Sequence, residues 1–313
     1  MITLPDIRAA AARIAGQVRR TPVLEITSVS QPVTDARLFL KLENMQATGS
    51  FKARGATNKL LSLPREAVAN GIVTASGGNH GLAVARAARS AGVEATVYVT
   101  ENSTEEKRAK LRRWGAKVEV LGKVWNEANV AAVAQAEASG AAYFHPFADP
   151  LVVAGQGTAA LELLEAVPEL DVVLIAIGGG GLISGMAVAL KSLKPSIRII
   201  GIEPVGSPTL KASLDAGKVV RLDSVTSRVA TMSCGETDPD VFELIRDHVD
   251  EVVLVSDEEM EAAAGWLWFE LGIAADLSGA AAVAALRSGQ VKLNDSAIAG
   301  ALVCGAGVDG AVL

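Results

Sequence analysis

The chain has 313 residues, of which 50% are hydrophobic and 4% are aromatic, and its formal net charge is −6. This length allows one large domain or two modest domains with a buried core. The negative net charge and the lack of a basic cluster argue against nucleic acid or an anionic membrane surface as a partner. The apolar runs are too short to span a bilayer. The presence of two cysteines favours a reducing, cytoplasmic setting.

Helices and strands alternate along most of the chain. The sequence predicts helices over 4–19, 52–61, 80–91, 103–114, 125–139, 155–166, 182–193, 208–216, 241–248, 256–271 and 278–286. It predicts strands over 38–42, 72–75, 95–100, 117–121, 143–144, 172–177, 197–202, 251–255 and 298–304. The strands are continuously apolar, which is typical of sheets buried on both faces. The pattern therefore predicts an α/β fold with doubly wound, open, mostly parallel twisted sheets and helices on both faces.

A strand end, a polar loop and a helix start are predicted over residues 41–56, Lys-Leu-Glu-Asn-Met-Gln-Ala-Thr-Gly-Ser-Phe-Lys-Ala-Arg-Gly-Ala. Ser50 is the candidate N-cap, because its hydroxyl can accept an unpaired amide proton of the first turn. Lys52 then lies at the positive end of the helix dipole, where the ammonium form is disfavoured. A lysine with a lowered pKa can act as a nucleophile or a base, although position alone does not assign that role.

This stretch closely resembles the lysine motif of the threonine/serine dehydratase and serine racemase family. These enzymes use pyridoxal 5'-phosphate (PLP) and have the tryptophan-synthase-β-like fold, PLP fold type II. The resemblance extends from Thr21 to Asp309. It implies that Lys52 forms the covalent imine with the cofactor and that Phe51 lies beside the cofactor.

The same resemblance implies a domain plan that composition does not show. Residues 1–45 and 145–313 would form a large, discontinuous PLP-binding domain, and residues 46–144 would form a small inserted α/β domain. A homodimer is also expected from the family. The partners implied are then a small amino-acid substrate and a second copy of the chain.

A second motif, Ser-Gly-Gly-Asn-His-Gly at 76–81, follows a predicted strand and opens a predicted helix. Such a turn presents free amides to an anion, although glycine turns are also common without a ligand. The motif resembles the asparagine loop of the same family, which implies that Asn79 binds the cofactor's ring hydroxyl. By that resemblance the substrate carboxylate site is lined by Ser76, Gly77, Asn79 and His80. His80 is not predicted to be a catalytic base.

Gly77 departs from the racemases of the family. They carry a serine just before the Gly-Asn pair, and that serine serves the second face of the substrate. Glycine has no proton to deliver, so the resemblance favours a dehydratase over serine racemase at this position.

A run of four glycines lies between a predicted buried strand and a predicted helix: Gly178, Gly179, Gly180 and Gly181. Converging amides and a helix N-terminus make this loop a candidate phosphate cradle. A Walker loop is excluded, because no Gly-Lys-Ser/Thr follows. Together with Leu182, the glycines resemble the PLP-phosphate loop of the family.

An NAD-binding Rossmann fold is the alternative interpretation of this loop. Glu203 ends the next predicted strand, where an acid that binds the ribose would lie. The glycine spacing does not fit, because the third glycine of that fingerprint would fall on Ile183 or Ser184.

Two further segments resemble family motifs near the C-terminal end. Residues 275–280, Ala-Asp-Leu-Ser-Gly-Ala, resemble the family's Glu-Pro-Ser-Gly-Ala segment, and Asp276 is equally well explained as a helix cap. Cys304 occupies the place of a serine that faces the pyridine nitrogen; it is otherwise a small buried hydrophobe. A thiol is an essentially neutral partner, which favours β-elimination over racemisation or transamination.

No metal site is predicted. Family members with a divalent cation carry acids in a segment that corresponds to 224–233, which here contains no Asp or Glu. The following Cys234-Gly235-Glu236 is faintly similar to the diaminopropionate ammonia-lyases. No cluster of His and Cys suggests zinc.

Together, the motifs predict a PLP-dependent ammonia-lyase that converts a small hydroxy amino acid, such as L-threonine or L-serine, to a 2-oxo acid and ammonia. In this scheme Lys52 holds the cofactor, and its released amine takes the α-proton. Alternatives within PLP chemistry are a lyase for diaminopropionate, hydroxyaspartate or an ectoine-derived amino acid. Alternatives outside it are an NAD-dependent oxidoreductase and a PLP-fold protein that only binds a ligand.

Overall fold

A computed structural model describes residues 1–311 and contains two sheets. The helices are α1 (Leu4–Ile14), α2 (Lys52–Ser62), α3 (Asn79–Ala91), α4 (Glu105–Arg113), α5 (Trp125–Ser139), α6 (Pro150–Ala166), α7 (Gly181–Leu193), α8 (Thr209–Ala216), α9 (Pro239–His248), α10 (Asp257–Leu271) and α11 (Leu277–Arg287). The strands are β1 (Val23–Glu25), β2 (Arg37–Leu42), β3 (Ile72–Ala75), β4 (Ala95–Val99), β5 (Lys117–Val120), β6 (Ala142–Tyr143), β7 (Val172–Ala176), β8 (Arg198–Pro204), β9 (Glu251–Val255) and β10 (Ile298–Val303). None of these helices is both long and apolar enough to span a membrane.

The larger sheet has six strands in the order β1-β2-β10-β7-β8-β9. All neighbours are parallel except β1 and β2. The register pairs Val303 with Leu42, so β10 and β2 end together. This alignment places the residues after Leu42 beside the residues after Val303, at one edge of the sheet.

The smaller sheet has four parallel strands in the order β5-β4-β3-β6. Successive side chains of β3 face opposite sides, as in any strand. Ile72 joins a cluster with α3, whereas Val73 and Ala75 join a cluster with α5. Helices therefore cover both faces, and the predicted α/β fold class is confirmed. The predicted domain boundaries at residues 45 and 145 stay a prediction.

Small residues let three helices of the larger core approach one another closely. A Cβ atom added at Gly185 of α7 would lie 2.2 Å from the Val153 carbonyl of α6, and one added at Gly155 would lie 2.6 Å from Gly55 of α2. Such contacts exclude any side chain, since real Cβ atoms do not approach other heavy atoms this closely. The high alanine and glycine content is thus a packing requirement that fixes α2 against α6.

Several predicted bounds were wrong. Helix α1 ends at Ile14 rather than at residue 19, because Ala15 leaves the helical conformation with ψ of 130° and Gly16 follows with φ of 73°. Helix α6 begins five residues early, at Pro150, because the Asp149 side chain caps it. Strand β1 was not predicted, since it is a short edge strand with only three residues.

Candidate active site

The lysine loop pairs with the end of β10. Ser50 and Gly305 form an isolated antiparallel bridge. The Phe51 amide donates to the Cys304 carbonyl at 3.2 Å, and the Ala306 amide donates to the Gly49 carbonyl at 2.8 Å. Two motifs from opposite ends of the sequence therefore meet, and Lys52 starts its helix beside Cys304.

This pairing overturns the prediction that Ser50 caps α2. The N-cap is Phe51, which already has helical backbone angles, and no side chain caps this helix. Ser50 is extended, with φ of −159°, because its backbone lies in the bridge. Its hydroxyl is buried, and no group in residues 1–311 bonds to it.

Lys52 lies in the first turn of α2 and is partly buried. Its Nζ donates to the Pro146 carbonyl at 2.7 Å and lies 5.0 Å from the centre of the Phe51 ring. No carboxylate of the described chain lies within ion-pairing distance of it. The expected lowering of its pKa is present, to about 8, and its main cause is burial. About a tenth of this amine is therefore neutral at pH 7, far more than for an ordinary lysine.

The carboxylate loop predicted at 76–81 leads into α3, which begins at Asn79. The Asn79 amide donates to Asp276 Oδ2 at 3.2 Å. His80 lies behind it, and its Nε2 donates to the Phe144 carbonyl at 3.1 Å, because a carbonyl can only accept. Burial and the nearby Lys52 hold the pKa of His80 well below its usual range. His80 is therefore a neutral imidazole with a fixed tautomer, which makes it a weak base.

A segment that crosses from β6 to α6, residues 143–147, connects these groups and was missed by sequence reasoning. We call it the strap. Its carbonyls accept hydrogen bonds from Lys59, His80 and Lys52, in that order along the chain. Such backbone contacts carry no residue signature, so nothing in the sequence singled out this segment.

The strap also places His145 near Lys52. Its Nδ1 accepts hydrogen bonds from the amides of Phe147 and Ala148, at 3.2 and 2.7 Å, so the ring proton is on Nε2. Burial and the positive charge of Lys52 lower the pKa of His145 to about 4. The imidazole is therefore a neutral hydrogen-bond donor. Its ring lies edge-on to Phe147, with the centroids 4.6 Å apart.

The glycine loop 178–181 joins β7 to α7 and contacts the strap. A Cβ added at Gly179 would lie 2.3 Å from the Phe147 ring, and one added at Gly181 would lie 2.8 Å from the Phe147 carbonyl. Gly180 has φ of 95°, a conformation that favours glycine. Counting from Gly178, Ser184 is the first residue whose backbone amide is hydrogen-bonded within residues 1–311; it donates to the Gly180 carbonyl. The preceding amides are available to an anion at the N-terminus of α7.

Cys304 directly follows β10, next to this arrangement. Its thiol is buried and donates to the Ser278 carbonyl at 3.3 Å. Burial raises the pKa of the Cys304 thiol, so it stays protonated and uncharged. The expected neutral character of this residue is therefore present.

Glu203 serves a structural purpose, which removes the basis of the nicotinamide alternative. Its carboxylate is fully buried and accepts hydrogen bonds from the amides of Leu210 and Lys211, at 2.8 and 2.9 Å. Burial raises its pKa to about 7. The acid thus anchors the start of α8, and both of its oxygens are already engaged by backbone amides rather than free to bind a ribose.

The residues present fit PLP. Within residues 1–311 the fold supplies a lysine of lowered pKa that has no anionic partner, and a glycine loop whose amides are not hydrogen-bonded. It also leaves buried polar atoms of Ser50 and His80 without a partner in that part of the chain. These are the features that an aldehyde, a phosphate and a polar ring require. In the part of the chain that the structure describes, no group of three or more acidic, His or Cys residues is arranged to hold a metal ion.

Comparisons with known proteins agree with this geometry. Residues 14–305 match the family described as pyridoxal-phosphate dependent enzyme. An L-threonine ammonia-lyase of Thermotoga maritima is 41% identical over 286 residues, which cover 91% of this chain and 71% of the relative. A catabolic L-threonine dehydratase of Staphylococcus aureus is 38% identical and covers 99% of this chain and 90% of the relative. The structure of maize serine racemase has a TM-score of 0.93 and 36% identity, and the match covers 98% of this chain and 94% of that one.

Proposed function

The chain belongs to the pyridoxal-phosphate dependent enzymes, and on that premise we propose that it is an ammonia-lyase that converts L-threonine or L-serine to a 2-oxo acid and ammonia. The observation that carries the proposal is Lys52, a lysine of lowered pKa whose Nζ has, within residues 1–311, a carbonyl as its hydrogen-bond partner and no carboxylate. Such an amine can attach to an aldehyde and afterwards accept a proton.

We propose that four parts of the site hold the cofactor. Lys52 would form the covalent link, with Phe51 beside it, and the amides of 178–182 would bind the phosphate. Asn79 would bond to the ring hydroxyl, and Cys304 would provide an uncharged partner for the ring nitrogen. The bridge between Ser50 and Gly305 supports this assignment, since it brings the lysine and the thiol to the same place.

When bound, PLP supplies the electron sink that makes the α-proton of an amino acid acidic. Lys52 accepts that proton, and its pKa of about 8 makes it a suitable base near neutral pH. Ser76, Gly77 and Asn79 orient the substrate carboxylate beside the start of α3. His80 adds an unprotonated Nδ1 that can accept a hydrogen bond there.

The net reaction balances without an oxidant or a reductant. The α-proton and the β-hydroxyl leave as water, and the resulting enamine tautomerises and takes up water as it loses ammonia. Threonine thus gives 2-oxobutanoate, and serine gives pyruvate. The chain has to exclude water from Lys52 until the hydroxyl has left, and the strap covers that side of the lysine.

Two residues favour elimination over racemisation, although the serine racemase of maize is structurally similar. Gly77 carries no hydroxyl, so it cannot return a proton to the second face of the substrate. The thiol of Cys304 is held neutral by burial and donates to Ser278, so it does not protonate a ring nitrogen. A negative charge at the α-carbon is then less stabilised, and loss of the hydroxyl competes better with reprotonation.

We further propose that the enzyme is a cytoplasmic homodimer and that its domains are 1–45 with 145–313 and 46–144. The first part rests on the family and on the two unpaired cysteines. The second is supported by the two sheets, because β3 to β6 lie within 72–143 and all other strands lie outside that range. Sedimentation analysis and limited proteolysis test these two statements.

The proposed activity is tested by incubating the PLP-loaded protein with L-threonine, L-serine, D-serine and diaminopropionate in turn. We expect a 2-oxo acid and ammonia in equal amounts from L-threonine or L-serine. Turnover of diaminopropionate alone would move the protein to a different lyase class. Binding of PLP without any turnover would identify it as a protein that only binds the ligand.

A further inference from the structure

Asp276 joins the two halves of the site. It precedes α11, which packs on the larger sheet, and its Oδ2 accepts a hydrogen bond from Asn79, at the start of α3 on the smaller sheet. Its Oδ1 accepts bonds from the Ser278 hydroxyl at 2.7 Å and the Gly279 amide at 2.6 Å. One carboxylate therefore bonds to both layers of the fold.

The carboxylate is held rigidly. The Asp276 amide donates to the Gly305 carbonyl at 3.1 Å. A Cβ atom added at Gly305 would lie 2.5 Å from Oδ2, so only glycine leaves room for the acid there. Ser278, which bonds to Oδ1, also provides the carbonyl that accepts the Cys304 thiol. Asp276 is thus connected to both Asn79 and Cys304, the two residues assigned to the cofactor ring.

The side-chain amide of Asn79 can adopt two orientations related by a 180° flip, which exchange the positions of its oxygen and its nitrogen. A carboxylate can only accept, so Asp276 fixes the nitrogen towards itself and leaves the second amide proton of Asn79 for another acceptor. A ring hydroxyl that has lost its proton is such an acceptor. Without Asp276 both orientations become accessible, and only one of them donates to the ring.

We propose that Asp276 is a positioning residue that fixes the Asn79 amide towards the cofactor. This inference rests on the proposed PLP function. Asp276 does not touch the substrate, and it acts through Asn79. The competing explanation is that Asp276 only caps α11, as Asp commonly does.

The two explanations are separated by Asp276→Ser. Serine retains a cap for the Gly279 amide, but its side chain is too short to reach Asn79 as well. We expect the PLP dissociation constant of this variant to rise about tenfold, which is typical of losing one hydrogen bond to a charged group. The wavelength of the visible band should also shift. A residue that is only a cap would leave both values unchanged.

A double-mutant cycle with Asn79→Ala gives the decisive readout, again as the PLP dissociation constant. If Asp276 acts through Asn79, adding Asp276→Ser to Asn79→Ala causes no further rise. If the two substitutions instead raise the PLP dissociation constant by factors that multiply, the inference is overturned. Ser256→Ala removes the N-cap of α10 and serves as the matched control for cap loss, since Ser256 accepts from the Glu259 amide and is not part of the site.

The outcome also distinguishes this inference from the proposed function. A wild-type protein that binds PLP but produces no 2-oxo acid would remove the lyase assignment and leave the cycle interpretable. Multiplying effects in a protein that turns over threonine would remove only the positioning role of Asp276. A wild-type protein that binds no PLP would overturn both.

Discussion

Two cations on the first turn of α2 have opposite surroundings. Arg54 is fully buried between two acids, and its guanidinium donates to Glu43 at 2.7 and 2.8 Å and to Glu162 at 2.7 and 2.8 Å. Burial alone lowers the pKa of Arg54, but the two carboxylates outweigh this effect and raise it. Two residues earlier, Lys52 donates to a carbonyl and has no carboxylate partner in the described chain, and burial lowers its pKa.

The difference separates a structural charge from a reactive one. A buried cluster contains two positive and two negative groups, so each charge is compensated. Its members are Lys41, Glu43, Arg54 and Glu162. This cluster fixes the first turn of α2 against α6 and β2. Lys52, on the same turn, receives that rigidity without receiving a counter-ion, and its amine remains available for chemistry.

The largest effect is expected from Lys52→Ala. Loss of the covalent link and of the base should lower kcat by about 10³-fold or more and abolish the band that borohydride reduces. Activity with L-threonine and the visible spectrum are the measurements. Lys194→Ala is the matched control, because this half-buried lysine also bonds to a proline carbonyl, that of Pro168. Retained turnover in the first variant would exclude Lys52 as the active lysine.

The next largest effect concerns stability. Arg54→Ala leaves Glu43 and Glu162 buried without their main partner, so the free energy of unfolding should fall by about 3–5 kcal/mol. Urea unfolding measures this change. The matched control is Arg228→Ala, which removes an exposed pair with Glu261 and should change the free energy of unfolding far less. Equal effects at the two sites would show that the buried cluster does not hold α2.

A pH profile sharpens the comparison. Only the neutral amine of Lys52 attacks an aldehyde, so the rate at which PLP attaches to the cofactor-free protein should rise about tenfold per pH unit below 8. The rate should level off above a pH of about 8, the lowered pKa of Lys52. A rise that continues to the ordinary lysine value of 10.5 would show that Lys52 is solvated or paired.

A smaller effect is expected at the substrate loop. Gly77→Ser restores a hydroxyl where racemases carry serine, and a Cβ there would meet Ser103 Oγ at 3.3 Å and Val99 at 3.5 Å, so the residue fits with slight adjustment. We expect D-serine to form from L-serine at a low rate, while formation of the 2-oxo acid falls severalfold. Chiral chromatography measures the ratio. Gly77→Ala is the control, since it adds the same Cβ without a proton donor.

Much of the fold could be predicted because its signals are local. The apolar strands β3 and β9 have the predicted bounds, at 72–75 and 251–255. The long, alanine-rich helix α5 also has its predicted bounds, at 125–139. The failures have nonlocal causes. Ser50 looked like a cap, but its backbone pairs with Gly305, far along the chain. The preference of serine for helix N-caps contains no information about that distant partner.

The site could be predicted only as a set of motifs. The neutral thiol at Cys304 and the lowered pKa of Lys52 were expected, and both are present. The strap and His145 were not, because their contacts run through backbone carbonyls and amides that any residue can supply. The bond between Asp276 and Asn79 was also outside reach, since it depends on how the two sheets face each other.

The most direct test of the account is borohydride reduction of the PLP-loaded protein, followed by peptide mass mapping. We expect the reduced cofactor to be attached to the peptide that contains Lys52 and to no other lysine, with L-threonine turnover lost in proportion. Attachment at a different lysine, or full activity after Lys52 has been modified, would contradict the central claim that Lys52 is the reactive lysine.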